Sequence, residues 1–281
     1  MNKNKLLPIA LTALLPLAAQ AADGSAAPAD GEWSGAGELG FAASRGNAKS
    51  ENLNAKLNFR KEDDTWKDDF YLTALRSKGE VTTETIDDST NPPTLVSTSK
   101  YKLNANRYEA GASAGYKLDE RSYIVGALRY EHDDFSPFDY QAVASIGYGY
   151  TLLKNQTDEL SFEVGPGYKR YQPADVIGPE VVDGRPLRHT FSSEGEVVGR
   201  GLGAYKHAFT DNTSFVDTLL VEAGSDNTFT QNDAGLQVDM NKKLALKIGY
   251  QVRHNSDVTP GTKRTDQLMT TNLVYNFGPG H

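Results

Sequence analysis

The sequence predicts an all-β protein: an antiparallel transmembrane β-barrel of about twelve strands, of the outer-membrane type. Three observations point there. In the closing stretch Gln267–Phe277, Met269, Leu273, Tyr275 and Phe277 share one face, while Thr270, Asn272 and Asn276 share the other. The same period of two recurs from Trp33 onward. The connections alternate between long and short, with an even number of strands.

The elements follow in order. Glu32–Ser44 puts Trp33, Leu39, Phe41 and Ala43 on one face. Asn52–Arg60 alternates most cleanly, with Leu53, Ala55, Leu57 and Phe59 against Asn52, Asn54, Lys56, Asn58 and Arg60. Weaker alternation marks Trp66–Ser77, Tyr101–Lys117 and Ser122–His132. Tyr140–Tyr150 sets Tyr140, Ala142, Ala144, Ile146, Tyr148 and Tyr150 against Gln141, Ser145 and glycines. Glu159–Tyr171, Glu194–His207, Thr213–Gly224 and Phe229–Met240 follow with more noise. Leu244–Arg253 then sets Leu244, Leu246, Ile248, Tyr250 and Val252 against Lys247, Gln251 and Arg253. Helical spacing fails in these windows, and glycine-rich Gly195–Gly203 would cost a helix about 1 kcal/mol per glycine.

Lys78–Lys100, Gln172–Ser193 and His254–Asp266 are the long connections; Lys61–Thr65, Leu118–Arg121 and Asn241–Lys243 are short ones on the other side. That asymmetry puts long loops outside and both termini in the periplasm. Asn91-Pro-Pro93 and Thr259-Pro-Gly261 read as turns in outer loops. Aromatics fall into two bands, as rings favour the headgroup boundary. Trp33, Trp66, Tyr116, Tyr148, Tyr150, Phe215, Tyr275 and Phe277 belong to the periplasmic rim; Phe41, Tyr130, Tyr140, Tyr168 and Phe229 to the outer rim.

The barrel is expected over residues 32–277. Ahead of it, residues 1–21 read as a cleaved signal peptide, with Lys3 and Lys5, an apolar core and Ala19-Gln20-Ala21. Residues 22–31 form a small-residue leader expected to be disordered, and 278–281 a short tail. Formal net charge is −8, two units more negative once Lys3 and Lys5 leave. Such a chain has no basic patch for nucleic acid. There is no cysteine, hence no disulfide or lipid-anchor thiol. A mean hydropathy of −0.53 does not argue against a barrel, where only alternate residues meet lipid.

If the apolar faces meet lipid, the opposite faces place Glu38, Lys56, Arg60, Arg107, Glu109, Arg129, Glu131, Glu163, Lys169, Arg200, Lys247 and Arg253 in the lumen. Glu196, Asp239 and Gln251 fall there too. Mixed signs allow either a paired network filling the interior or a hydrated channel with weak ion selectivity. Asp133, Asp134, Asp226, Asn227, His254 and Asp257 gather at outer strand ends as a polar rim. Oxygen ligands of this kind suit hard cations, but no EF-hand spacing is present and no metal or other cofactor is expected. His254-Asn255-Ser256-Asp257 holds the residue types of a hydrolase relay, but neighbours on a strand point in alternating directions. No catalytic residue is assigned.

Several segments carry a family resemblance. Gly31-Glu-Trp-Ser-Gly-Ala-Gly-Glu-Leu-Gly-Phe41 followed by Ser44-Arg-Gly-Asn47 resembles the opening of the YdiY-like proteins, often labelled salt-induced outer-membrane proteins. Ala127–Glu131, Phe135–Tyr140, Gly165–Tyr168, Glu222–Thr228 and Val252–Asp257 are similar to the same family, so that the resemblance covers nearly the whole mature chain. It implies an outer-membrane barrel, supplies no catalytic residues, and carries a label suggesting expression under salt stress. Glu80–Ser99 is a long acidic insertion for that family.

The expected function is a narrow porin-like pore for ions or small solutes, with a sealed structural barrel as the alternative and a lipid or peptide hydrolase as a second. The expected surroundings are outer-membrane lipid and lipopolysaccharide, with the barrel-assembly machinery needed for insertion of a monomer.

Overall fold

The computed structural model describes residues 31–45, 49–87, 89, 94–182, 185–258 and 263–278. The signal peptide, most of the leader, the end of the tail and both Pro-containing turns lie outside these residues.

Twelve antiparallel strands close into one barrel. In chain order they are β1 (Trp33–Ser44), β2 (Ser50–Glu62), β3 (Trp66–Asp87), β4 (Thr94–Lys117), β5 (Ser122–Asp133), β6 (Phe138–Lys154) and β7 (Asp158–Pro173), then, past a small hairpin of β8 (Val176–Val182) and β9 (Arg185–His189), β10 (Glu194–Thr210), β11 (Thr213–Ala223), β12 (Thr228–Asp239), β13 (Leu244–Asn255) and β14 (Thr265–Phe277). Each strand of the barrel pairs with its sequence neighbours, and β1 pairs with β14 from Gly35↔Phe277 to Leu39↔Leu273 to close the ring. That closing pair covers five residues; beyond it β1 pairs only with β2, and β14 only with β13. Closing the ring is what lets strands cross hydrocarbon. Both chain ends therefore leave the barrel at one end, the terminal end; the long hairpins stand at the other, the loop end.

Alternation sorts the side chains. Leu53, Leu57, Leu72, Leu128, Ile146, Val164, Leu246, Ile248 and Met269 are exposed on the outer wall, and the charged residues between them turn inward. Rings gather at the two margins. At the terminal end Trp66 meets Tyr116 edge-on at 5.4 Å, and Phe59 meets Phe277 at 5.3 Å. At the loop end Tyr130 stacks on Tyr140 at 6.2 Å and lies 6.4 Å from Tyr108. The short terminal-end turns are tied by Asp63 and Asp119, whose carboxylates accept backbone N–H bonds from Thr65 and Trp66, and from Arg121 and Ser122. Those bonds hold both carboxyls below the usual Asp range.

Two expectations need correction. Lys78–Lys100 is mostly strand: β3 pairs with β2 only as far as Gly79, and β4 pairs with β5 only from Arg107. Beyond these points the two pair only with each other, Val81↔Lys100 to Asp87↔Thr94, as a ribbon standing off the barrel. At 22 and 24 residues these strands greatly exceed the ~9–11 that a membrane needs. Its Thr-, Val- and Ile-rich composition favours extended backbone even with both faces wet. The second correction is Gln172–Ser193, which is not all loop but carries β8 and β9.

The outer wall sets a measurable cost. Ile248→Arg, near the middle of β13, should destabilise the barrel by ~2–4 kcal/mol in equilibrium unfolding from lipid vesicles; an unchanged midpoint would mean that this wall does not face hydrocarbon.

Candidate functional site

All twelve charged residues expected in the lumen lie on the inward parity of their strands, and the pairing brings most of them together. The centre of the arrangement is Arg253 on β13. Its Nη2 donates to both oxygens of Glu131 on β5 at 2.5 Å, and its Nη1 donates to Asp133 at 3.3 Å. β13 and β5 stand six places apart in the twelve-membered ring, so this bond crosses the lumen along a diameter. Arg129 on β5 donates from Nη1 to Glu131 at 2.9 Å, then grips Glu222 on β11 with Nε at 3.0 Å and Nη2 at 2.5 Å. The ring of Phe229 lies against both guanidinium groups, its centre 4.9 Å from that of Arg129 and 5.0 Å from that of Arg253. Phe229 is 0% exposed.

Three neighbours widen this layer. Tyr71 donates its hydroxyl to Glu109 at 2.5 Å, and Gly111 makes room for that ring: a Cβ there would stand 2.1 Å from Tyr71 Cε1. Arg107 reaches over to Gln251 at 2.5 Å. Toward the β6–β7–β10 side, the ammonium of Lys169 lies 2.9 Å from Glu196 and faces the rings of Tyr171 and Phe138 at 5.0 and 5.6 Å. That contact is an ion pair by distance but lacks hydrogen-bond geometry; Lys169 Nζ, Glu196 Oε1, the nearby Gln141 Oε1 and, at the centre of the layer, Arg253 Nε are buried without a hydrogen-bond partner among the described residues. Paired guanidinium groups suit this place because their forked donors satisfy several carboxylate lone pairs at once, which a desolvated charge requires.

Below this layer, toward the terminal end, the lumen widens into a cavity of about 520 Å³ whose ceiling includes Arg107, Glu109 and Arg129. Its walls carry three more ion pairs: Lys247 with Glu38 at 2.7 Å, Arg200 with Glu163 at 3.0 Å, and Arg60 with Asp69 at 3.4 Å. Lys56 lines the same space without a carboxylate at ion-pairing distance among the described residues. The Arg60 side chain is 54% exposed although it points inward, so water reaches the cavity from the terminal end.

The expected polar rim is present at the loop end but does not form one cluster. Asp133 turns inward to Arg253. Asp134 takes bonds from Asn106 and His132, which hold its carboxyl below the usual range. Asp226 accepts from Tyr171, and its own N–H goes to Glu196. Asn227 is buried, bonded to Asn255 at 2.8 Å, and accepts from Ser256 and from the backbone of Asp257. His254 faces outward, its Nδ1 2.9 Å from Thr265 Oγ1. Its ring is therefore engaged on the lipid side, while Ser256 is held by Asn227. Among the described residues no group of three or more His, Asp or Glu is placed to hold a metal ion.

Phe229, expected on the outer rim, instead turns into the lumen and packs within the charged layer. Leu236 and Val238 on the same strand face lipid, and their parity already places residue 229 inward. Tyr71 and Tyr123 also enter the lumen from the inward parity of their strands; Tyr123 donates to Glu163 at 3.1 Å.

Glu131 holds two arginines, so its loss leaves two buried cations short of a partner. Glu131→Ala should cost ~3–5 kcal/mol in urea unfolding, and adding Arg253→Ala should cost less than the sum of the two single changes. Strict additivity would mean that the two do not interact.

A match to the family described as "Protein of unknown function, DUF481" spans residues 37–277. YdiY of Escherichia coli (strain K12), itself uncharacterized, is 25% identical over 239 residues, covering 85% of this chain and 81% of its own. Among solved structures, the NanC porin aligns over 87% of this chain and 98% of its own, at 11% identity and TM-score 0.41. The translocator domain of autotransporter NalP from Neisseria meningitidis aligns over 87% of each chain, at 11% identity and TM-score 0.45. Likeness at that distance says nothing of what a lumen carries. With the family match running from β1 to the end of β14, the chain belongs to the DUF481 family.

Proposed function

We propose that this protein is a bacterial outer-membrane barrel that is shut to passive flow in the conformation described, with its termini and open cavity on the periplasmic side. The observation that carries this reading is the Arg253–Glu131 contact across a full diameter, with the buried Phe229 ring packed against Arg253 and Arg129. A twelve-stranded barrel lies between the filled eight-stranded kind and the water-filled sixteen-stranded kind. Here the loop-end half follows the first and the terminal-end half the second. The sealed barrel is thus favoured over the constitutive pore.

The surrounding partners in this reading are phospholipid and lipopolysaccharide against the apolar wall, and the barrel-assembly machinery during insertion of a monomer. A wall that does not leak ions also suits the salt-stress label of the resembling family. A regulated pore is the second reading. It is favoured by the seal's being made of side chains projecting from the barrel strands, with a water-accessible cavity directly beneath it.

Planar-bilayer recording separates the readings. The wild-type protein should give no stepwise openings, whereas Glu131→Ala/Phe229→Ala/Arg253→Ala, which clears the diameter without stranding a lone charge in that contact, should conduct. Sustained openings of the wild type at modest voltage would sink the sealed reading.

A further inference from the structure

We infer that the loop-end half of the β1–β14 seam is a lateral portal through which the hydrocarbon chain of a membrane lipid enters the cavity from the bilayer. This rests on the closed-lumen reading: with the charged layer shutting the lumen above, the wall itself is the route between the cavity and the loop-end leaflet.

The seam is the shortest joint in the ring. β1 and β14 pair over five positions, Gly35↔Phe277 to Leu39↔Leu273, whereas every other neighbouring barrel pair runs over eleven or more among the described residues. Both strands continue past that point, β1 to Ser44 and β14 back to Thr265, each paired only with its other neighbour. They still touch at Gly40, where a Cβ would stand 2.9 Å from Thr271 O. Beyond it the alternation of burial on β1 is lost. Ala42 has the inward parity of Glu38 and Gly40 yet is exposed, while Ala127, inward on the fully paired β5, is buried.

The gap borders the cavity and lies below the charged layer. On β14 its inward residues are Leu268, Thr270 and Asn272, which line the cavity beside Gln251, Gly249 and Lys247 of β13. Arg253, in the layer, stands higher, opposite Asp266. Neither these three nor Gly40 and Ala42 on the other lip carry charge, and the outward lips are the exposed Phe41 and Met269. An ion finds no partner there, whereas a hydrocarbon chain passes from one apolar surface to another. In a barrel that spans the membrane, lipid lies against this stretch of wall, so what crosses it comes from the bilayer. Free edge N–H and C=O groups are costly against hydrocarbon alone and are tolerated where they line a water-filled cavity.

A side-chain latch marks the foot of the gap. Asn54 on β2 reaches over β1 to donate to Asn272 Oδ1 at 2.7 Å, and Lys247 on β13 reaches over β14 to Glu38 at 2.7 Å. Asn272 donates to Glu38 at 3.0 Å. All three bonds cross the seam. Gly40 makes the first of them possible, since a Cβ there would collide with the amide oxygens of both asparagines. Where backbone pairing stops, side chains hold the two strands, and they reorient far faster than paired strands separate.

Photolabelling in vesicles tests this. The protein is reconstituted with phosphatidylcholine carrying a diazirine in mid-chain, irradiated, and mapped by mass spectrometry. The wild type should be labelled at inward Leu268 and Thr270 as well as at outward Phe41 and Met269. The chain has no cysteine, so Ala43→Cys/Met269→Cys can be joined across the gap by a bifunctional thiol reagent. Joining should lower the inward label at least fivefold and leave that at Phe41. Asn54→Leu/Asn272→Leu, which opens the latch but leaves Lys247 on Glu38, should raise the inward label at least twofold with the circular dichroism of the sheet unchanged. Inward residues free of label in the wild type, label that survives joining, or a latch variant labelled no more than wild type overturns the portal. Bilayer recording reports the closed lumen independently, so a barrel that conducts is told apart from a closed barrel whose seam admits no lipid.

Discussion

A ring of twelve strands encloses more space than short side chains can fill, and the barrel solves this with charge spanning the gap. Backbone donors and acceptors are consumed in the closed sheet, so the interior is held by whatever the inward positions can extend. Arginine combines the reach with donors enough to satisfy a carboxylate from the far wall. Arg253 and Glu131 meet across the diameter, and every other member of the layer is arranged around that contact. Arg129 shares Glu131 and adds Glu222; Phe229 packs against both guanidinium groups. The desolvation of so many charges is tolerable because they are mutually paired, and the packing of Phe229 excludes the water that would otherwise weaken each pair.

The two halves of the lumen differ in where their long inward side chains go. Toward the loop end Arg253 and Arg129 bond to carboxylates across the lumen. Toward the terminal end Lys247, Arg200 and Arg60 bond to carboxylates on nearby strands, and β5, β6, β10 and β11 add valine, alanine, serine and leucine. Glycine completes the contrast by seating the large rings against the wall: Gly149 leaves room for Tyr123, where a Cβ would stand 2.2 Å from the ring, and Gly111 does the same for Tyr71. One antiparallel sheet thus carries a charge-paired layer and a cavity without a change of fold.

The barrel was legible because lipid imposes a rule on every second residue. Where that rule is strict, as from Leu53 to Phe59 and from Leu244 to Val252, strand and facing both followed from the sequence. The β3–β4 ribbon was not legible as strand, since outside the membrane neither face is required to be apolar and threonine-rich extended chain resembles a loop. Phe229 was misplaced for a different reason. An aromatic near a strand end suggests a headgroup anchor, and that general preference outweighed the local parity of Leu236 and Val238. Pairing across the lumen was beyond reach altogether: Arg253 and Glu131 are 122 residues apart, and which wall faces which depends on strand number and shear.

The layer also has a mechanical property set by its sharing of partners. Its members are side chains, which reorient far faster than a folded plug can unfold. Yet Glu131 serves Arg129 and Arg253 together, and Arg253 serves Glu131 and Asp133 together. Swinging Arg253 aside leaves Glu131 with Arg129 alone, takes from Asp133 its guanidinium, and removes one of the two cations lying against Phe229. Shared acceptors therefore couple these side chains, so that displacing one changes the pairing of its neighbours.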